Sequence, residues 1–134
     1  MRVCVTGANG FIGANLVRAL LKKGARVRAL VRSTSNLRFL KGLDVEMAFG
    51  DLRDKISLKK AFQGCEVLYH TAALYAFWVK DPSCFYDINV QGTQNVLEMA
   101  GETGVSKIVY TSTVGTLRCP KNQESPSDEN SFAD

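Results

Sequence analysis

Thr6-Gly7-Ala8-Asn9-Gly10-Phe11-Ile12-Gly13 is the stretch whose reading decides the rest of this chain. It follows Arg2-Val3-Cys4-Val5, a short apolar run that reads as a strand. It precedes Ala14-Asn15-Leu16-Val17-Arg18-Ala19-Leu20-Leu21, whose apolar positions recur at helical spacing. A strand, a glycine-rich turn and a helix start, in that order, make a phosphate cradle. Gly7 permits a tight turn where a side chain would bring strain. Gly10 lacks a Cβ, so backbone can approach an anion, and Gly13 lets the helix sit close to the strand. The N–H groups of the helix's first turn then face a diphosphate, helped by the positive end of the helix dipole.

The glycine spacing is Gly-x-x-Gly-x-x-Gly, not the Gly-x-Gly-x-x-Gly of the general dinucleotide fingerprint. Preceded by Thr6, it resembles the signature of short-chain dehydrogenases/reductases, in the form used by their extended branch. The resemblance implies that Gly7, Asn9, Gly10, Phe11, Ile12 and Gly13 hold a nicotinamide dinucleotide. A glycine-rich strand-helix turn with no ligand is the alternative.

The chain has 134 residues, one domain's worth. No apolar run approaches the roughly 20 residues of a membrane span. The start, from Arg2 straight into a strand, has neither the length nor the cleavage site of a signal peptide. Cys4, Cys65, Cys84 and Cys119 are scattered, and His70 is the one histidine, so no metal-ligand spacing is present. Free thiols in a reducing cytoplasm are the expectation. The net charge of +4 is mild and not interleaved with aromatics, which gives no nucleic-acid footprint. Arg26, Arg28, Arg32, Arg38 and Lys41 form a local basic excess suited to a small anionic ligand.

Along the chain, the pattern predicts a helix over 11–23, a second strand over 26–31, a short helical piece over 37–40 and a third strand over 45–49. A helix over 55–63 follows, with Asp54 as its N-cap. Then come a fourth strand over 67–70, a long helix starting at Asp81-Pro82 and reaching 101–104, and a fifth strand over 107–112. This alternation predicts an α/β, Rossmann-type parallel sheet with helices on both faces and strand order 3-2-1-4-5. A ligand in such a sheet sits at the carboxyl ends of the strands, where the order reverses between strands 1 and 4.

The strand ends therefore carry the chemistry. After strand 2 no carboxylate awaits a ribose 2′-hydroxyl; Arg32 is there instead, suited to a 2′-phosphate, with Ser33 and Thr34 as further donors. This favours NADP over NAD, unless Arg32 is merely solvated. After strand 3, Asp51-Leu52 is similar to the family's step beside the adenine: Asp51 accepts from the amino group and Leu52 covers a ring face, or Asp51 caps a turn. After strand 4, His70-Thr71-Ala72-Ala73 resembles the family's His-x-Ala-Ala. Thr71, Ala72 and Ala73 then pass close to the cofactor, and His70 packs against the loop with no catalytic or metal role. Asn89 matches the family's helix asparagine; it ties backbone or a water near the reaction centre, or makes a structural hydrogen bond. The aromatic run Leu74 to Val79 lines a substrate pocket or packs a loop.

In Tyr110-Thr111-Ser112-Thr113, the resemblance gives Thr113 the role of bonding the substrate's carbonyl or hydroxyl. The family also needs Tyr-x-x-x-Lys, in which a neighbouring cation depresses the pKa of a Tyr that acts as acid and base. No such pair occurs in residues 1–134. The expectation is therefore the N-terminal portion of an incomplete doubly wound domain, with the substrate-binding C-terminal part absent.

The resemblance reaches most nearly to dihydroflavonol-reductase and hopanoid-associated sugar-epimerase-like members. It implies hydride transfer between a nicotinamide cofactor and a carbonyl or hydroxyl carbon of a sugar- or flavonoid-like small molecule. A non-catalytic dinucleotide sensor of the same fold is the other reading. No nucleic acid and no membrane are expected as partners. Homodimers through a helix bundle are common in the family, and the helix from Pro82 would contribute to one.

Overall fold

The computed structural model describes residues 1–118 and 126–131. Cys119 and the polar stretch 121–125 lie outside them. A five-stranded parallel sheet has the order β3-β2-β1-β4-β5, with β1 at Arg2–Thr6, β2 at Arg26–Val31, β3 at Glu46–Phe49, β4 at Val67–His70 and β5 at Lys107–Tyr110. The chain reverses direction across the sheet between β1 and β4, as the alternating pattern predicts. Val3 faces Val27 on one side and Val67 on the other, and Thr6 faces Leu30 and His70.

β1 is covered on both faces, which explains its nearly unbroken apolar character. Successive side chains point to opposite faces of a strand. Val3 and Val5 pack with Ala14, Val17 and Leu20 of helix α1, Phe11–Lys22. Cys4 packs on the opposite face with Leu58 and Phe62 of α2, Lys55–Phe62, and with Val96 and Met99 of α4, Gly92–Glu102. Each of the buried Val, Leu, Phe and Met side chains stabilises the fold by about 1.5–3 kcal/mol relative to exposure.

α1 ends one residue before the expected limit, and α2 begins under the Asp54 cap, whose carboxylate accepts from the Ile56 N–H at 3.0 Å. The expected helical piece over 37–40 is not a helix. Leu40 N–H reaches Leu37 O and Leu43 N–H reaches Leu40 O, giving successive turns that stop at Gly42. So short a segment forms too few bonds to offset the cost of nucleating a helix. The long helix from Pro82 runs continuously from Ser83 to Glu102, as α3, Ser83–Tyr86, a π-turn over Asp87–Gln91, and α4. Strand 5 stops at Tyr110 rather than Ser112.

The basic excess around β2 does not act as one patch. Arg28 is buried; its Nη1 donates to Ala61 O at 2.6 Å and Gln63 O at 2.9 Å, and its Nη2 pairs with Glu46 at 2.8 Å. It thereby closes the carbonyl end of α2 onto the sheet. Arg38 lies over the Phe39 ring, 4.5 Å from its centroid. The strand pattern puts Arg28 on a buried face, which composition alone could not register. Cys4, Cys65 and Cys84 are free thiols. Among the described residues no helix is long and apolar enough to cross a membrane.

Candidate functional site

The turns after β1 and β4 meet backbone to backbone. Gly7 has φ +66°, and a Cβ there would lie 2.8 Å from both N and Cα of Ala72. Only glycine meets both conditions. Gly10 N–H closes the turn onto Gly7 O at 2.9 Å. That amide is therefore spoken for, and the first turn of α1 is the part left to meet an anion. A Cβ on Gly13 would sit 2.2 Å from Gly7 O, so this glycine sets how closely α1 approaches the turn. No side chain caps α1, and no acidic residue occupies its first turn. Its N–H groups and the positive dipole end are thus presented at the crevice.

A buried polar lattice holds the two turns together. Ala72 N–H donates to Thr6 Oγ1 at 3.2 Å, and Thr71 Oγ1 donates to Thr6 O at 2.7 Å. His70, fully buried, has Nδ1 2.7 Å from Thr6 Oγ1 and Nε2 3.2 Å from Thr93 Oγ1. Both partners are hydroxyls, able to donate or accept, so a neutral ring is satisfied at both nitrogens. Burial lowers the His70 pKa to about 4. The ring also stacks on Tyr110 of β5, with centroids 5.2 Å apart. His70 is thus a pin between β1, β4, β5 and the helix that starts at Gly92.

Between the strand ends runs an open groove of about 270 Å³. Of the residues singled out from sequence, Gly7, Asn9, Gly10, Arg32, Asp51, Leu52, Thr71, Ala72 and Ala73 line it. Phe11, Ile12, Gly13 and Thr113 do not. Phe11 and Ile12 stand 78% and 59% exposed at the start of α1. A helix N-terminus offers a phosphate its N–H groups, not its side chains, which fan outward. Thr113 lies exposed beyond the end of β5, and its Oγ1 accepts from Gly115 N–H at 3.2 Å. Ser33 and Thr34 are exposed and off the groove, whereas Ser35 lines it and accepts from Arg32 N–H at 3.2 Å.

Sequence reasoning also missed Thr6, Leu30, Val31 and Ile88 as lining residues, whereas Leu74, the first residue of the run offered as a pocket wall, does line the groove. The first three stand at or near strand ends, so strand-end position was the usable signal. Ile88 enters from the π-turn, which no periodicity announces. Asn89, in the same turn, accepts from Leu74 N–H at 2.7 Å and donates to Leu74 O at 3.0 Å. The pair of bonds fixes the loop that follows β4, and it fits a structural role for Asn89 as well as a tie beside the site. The aromatic run does not pack a loop: Tyr75, Phe77 and Trp78 are 85%, 98% and 80% exposed, with Tyr75 edge-on to Phe77.

Asp51 is half-buried at the groove and held by Arg53, with Nε to Oδ1 and Nη2 to Oδ2 both at 2.8 Å. The bonds from the Arg53 side chain lower its pKa to about 2. Arg32, on the same groove, adds to that effect.

The model of the NAD dependent epimerase/dehydratase family matches residues 3–133. The chain belongs to that family. The chain is 47% identical over 117 residues to sterol demethylase protein B of Methylococcus capsulatus, covering 87% of this chain and 36% of that protein. It is also 47% identical over 113 residues to a putative dihydroflavonol 4-reductase of Synechocystis, covering 84% of this chain and 33% of that one. The chain thus spans about a third of the length of these two relatives. The solved UDP-glucose 4-epimerase of Thermus thermophilus, a complex with NAD, superposes with a TM-score of 0.86 at 32% identity, covering 98% of this chain and 44% of that one. The extended short-chain dehydrogenase/reductase likeness of the glycine turn and the α/β fold both agree with these relatives.

Proposed function

We propose that residues 1–134 form the dinucleotide-binding portion of an NAD(P)-dependent reductase or epimerase acting on a carbonyl or hydroxyl of a small sugar- or flavonoid-like molecule. The observation that carries this reading is the groove at the reversal of strand order, where Gly7 backs onto Ala72 and uncapped α1 opens. The residues suit an elongated, multiply anionic ligand. The α1 N-terminus would take the diphosphate, Arg32 and Ser35 the adenine-side ribose, and Asp51 and Leu52 the base.

NADP is the preferred cofactor in this reading, because Arg32 lines the groove where an NAD site would offer a carboxylate. The nicotinamide ring supplies the hydride chemistry when bound. Thr113 would donate a hydrogen bond to the reacting oxygen, from the loop that follows β5. Residues 1–134 hold no Tyr-x-x-x-Lys, so this chain is expected to bind cofactor without turning substrate over. The reading takes the chain to be cytoplasmic, and the parent to be a homodimer.

The test is a pair of fluorescence titrations with NADPH and NADH. NADPH is expected to bind at least about tenfold more tightly, from charge-assisted bonds to its 2′-phosphate. Arg32→Asp is expected to reverse the order. Equal binding of the two nucleotides by the wild type would overturn the NADP preference, and binding of neither would overturn the function.

A further inference from the structure

Arg53 and Asn95 do not line the groove, yet both grip the two residues that would face the adenine. Arg53 makes a side-on, two-point contact with the Asp51 carboxylate at 2.8 Å and 2.8 Å, and its own N–H donates to Oδ1 at 3.0 Å. Asn95, on α4 and 4% exposed, donates from Nδ2 to Leu52 O at 2.9 Å. Ser57 completes the hold: its Oγ accepts from Asp51 N–H at 3.2 Å and donates to Asp54 O at 2.8 Å. A loop of four residues is thus tied to two helices and to itself.

Ionisation alone does not require this arrangement. An ordinary aspartate, titrating near 4, is already charged at neutral pH. Arg53 therefore adds direction rather than charge. A side-on guanidinium uses one lone-pair direction on each carboxylate oxygen and holds the plane of the group. With the Arg53 N–H also on Oδ1, the lone pair left over is on Oδ2, and its aim is fixed. Exposed single-point ion pairs contribute little, but two-point geometry restricts both side chains.

We propose that Arg53 and Asn95 are positioning residues that aim Asp51 and Leu52 at the base of the dinucleotide, and so make this chain select a 6-amino purine over a 6-oxo purine. The inference rests on the dinucleotide reading above. A carboxylate accepts from the 6-amino group of adenine but opposes the 6-oxygen of hypoxanthine, where two acceptors would meet. Discrimination follows only if the carboxylate cannot turn away. Asn95 fixes the backbone of Leu52, and with it the height of the ring cover.

The test compares NADPH with its analogue in which hypoxanthine replaces adenine, in the wild type, Arg53→Ala, Arg53→Lys and Asn95→Ala. The wild type is expected to prefer the adenine nucleotide by about ten- to a hundredfold, the scale of one hydrogen bond to a charged group. In R53A and N95A that preference is expected to fall to within about threefold, chiefly by weakened binding of the adenine form. R53K, with one point of contact, should fall between. R53A carries the test even if N95A fails to fold, because Arg53 is exposed. Equal weakening of both nucleotides with the ratio kept would mean a purely structural role and overturn the inference. A wild type that binds both bases equally would overturn it as well. A wild type that binds neither would instead overturn the dinucleotide reading on which it rests.

Discussion

At neutral pH the imidazole of His70 is uncharged, because burial leaves no solvent for the imidazolium and both neighbours are neutral hydroxyls. Its ordinary value is 6.5 and its folded value about 4. Between those values the unfolded chain binds the extra proton. Stability is therefore full above pH 6.5 and is lost as pH falls towards 4, by about 3 kcal/mol. Asp51, held near 2 against an ordinary 3.8, contributes its own loss only below that window. Urea midpoints at pH 7, 5.5 and 4 should decline for the wild type and stay flatter for His70→Asn; parallel declines would contradict the assignment. Gly13→Ala is expected to cost at least about 2 kcal/mol, since the new Cβ meets a backbone oxygen that cannot rotate aside. A melt within a degree or two of wild type would refute that. Residues of this kind were legible in sequence when their identity was forced by backbone, as at Gly7 and Gly13. Arg28 was not, because its burial and its carbonyl partners depend on three elements that sequence reasoning treats one at a time.

At the scale of elements, local signals placed the pieces and tertiary contacts set their ends. Asp54 before Lys55 announced α2, and the observed cap to Ile56 N–H is the bond that position calls for. Asp54→Ala should lower stability by about 1 kcal/mol, read by urea denaturation, while Asp54→Asn should keep most of it. Equal losses for the two would mean that charge, not the cap oxygen, matters. The helix from Pro82 was legible at both ends and not in its middle. Its π-turn gives up regular bonding over Asp87–Gln91 while bringing Asn89 to Leu74 and Ile88 to the groove. Such turns recur at functional sites, and no hydrophobic period distinguishes them from regular helix. The 37–40 segment has the opposite lesson: helical residues in sequence, but too few of them between polar turns to close a stable ladder.

Across the whole molecule, one topological feature organises everything else. β1 lies between β2 and β4, so the chain's two halves diverge there and their loops leave the groove between them. The strand order and the position of that groove followed from alternating strands and helices, with handedness doing the rest. The groove's wall at Ser35 and Ile88 did not, since it depends on how loops of differing length fold back. Occupancy of this groove by a dinucleotide is the central claim, and an amide-resolved NMR titration with NADPH tests it most directly. The account predicts saturable shifts concentrated at the 7–13 turn, at Asp51 and Leu52, and at 71–73. Shifts confined to other surfaces, or no shifts at saturating nucleotide, would contradict it.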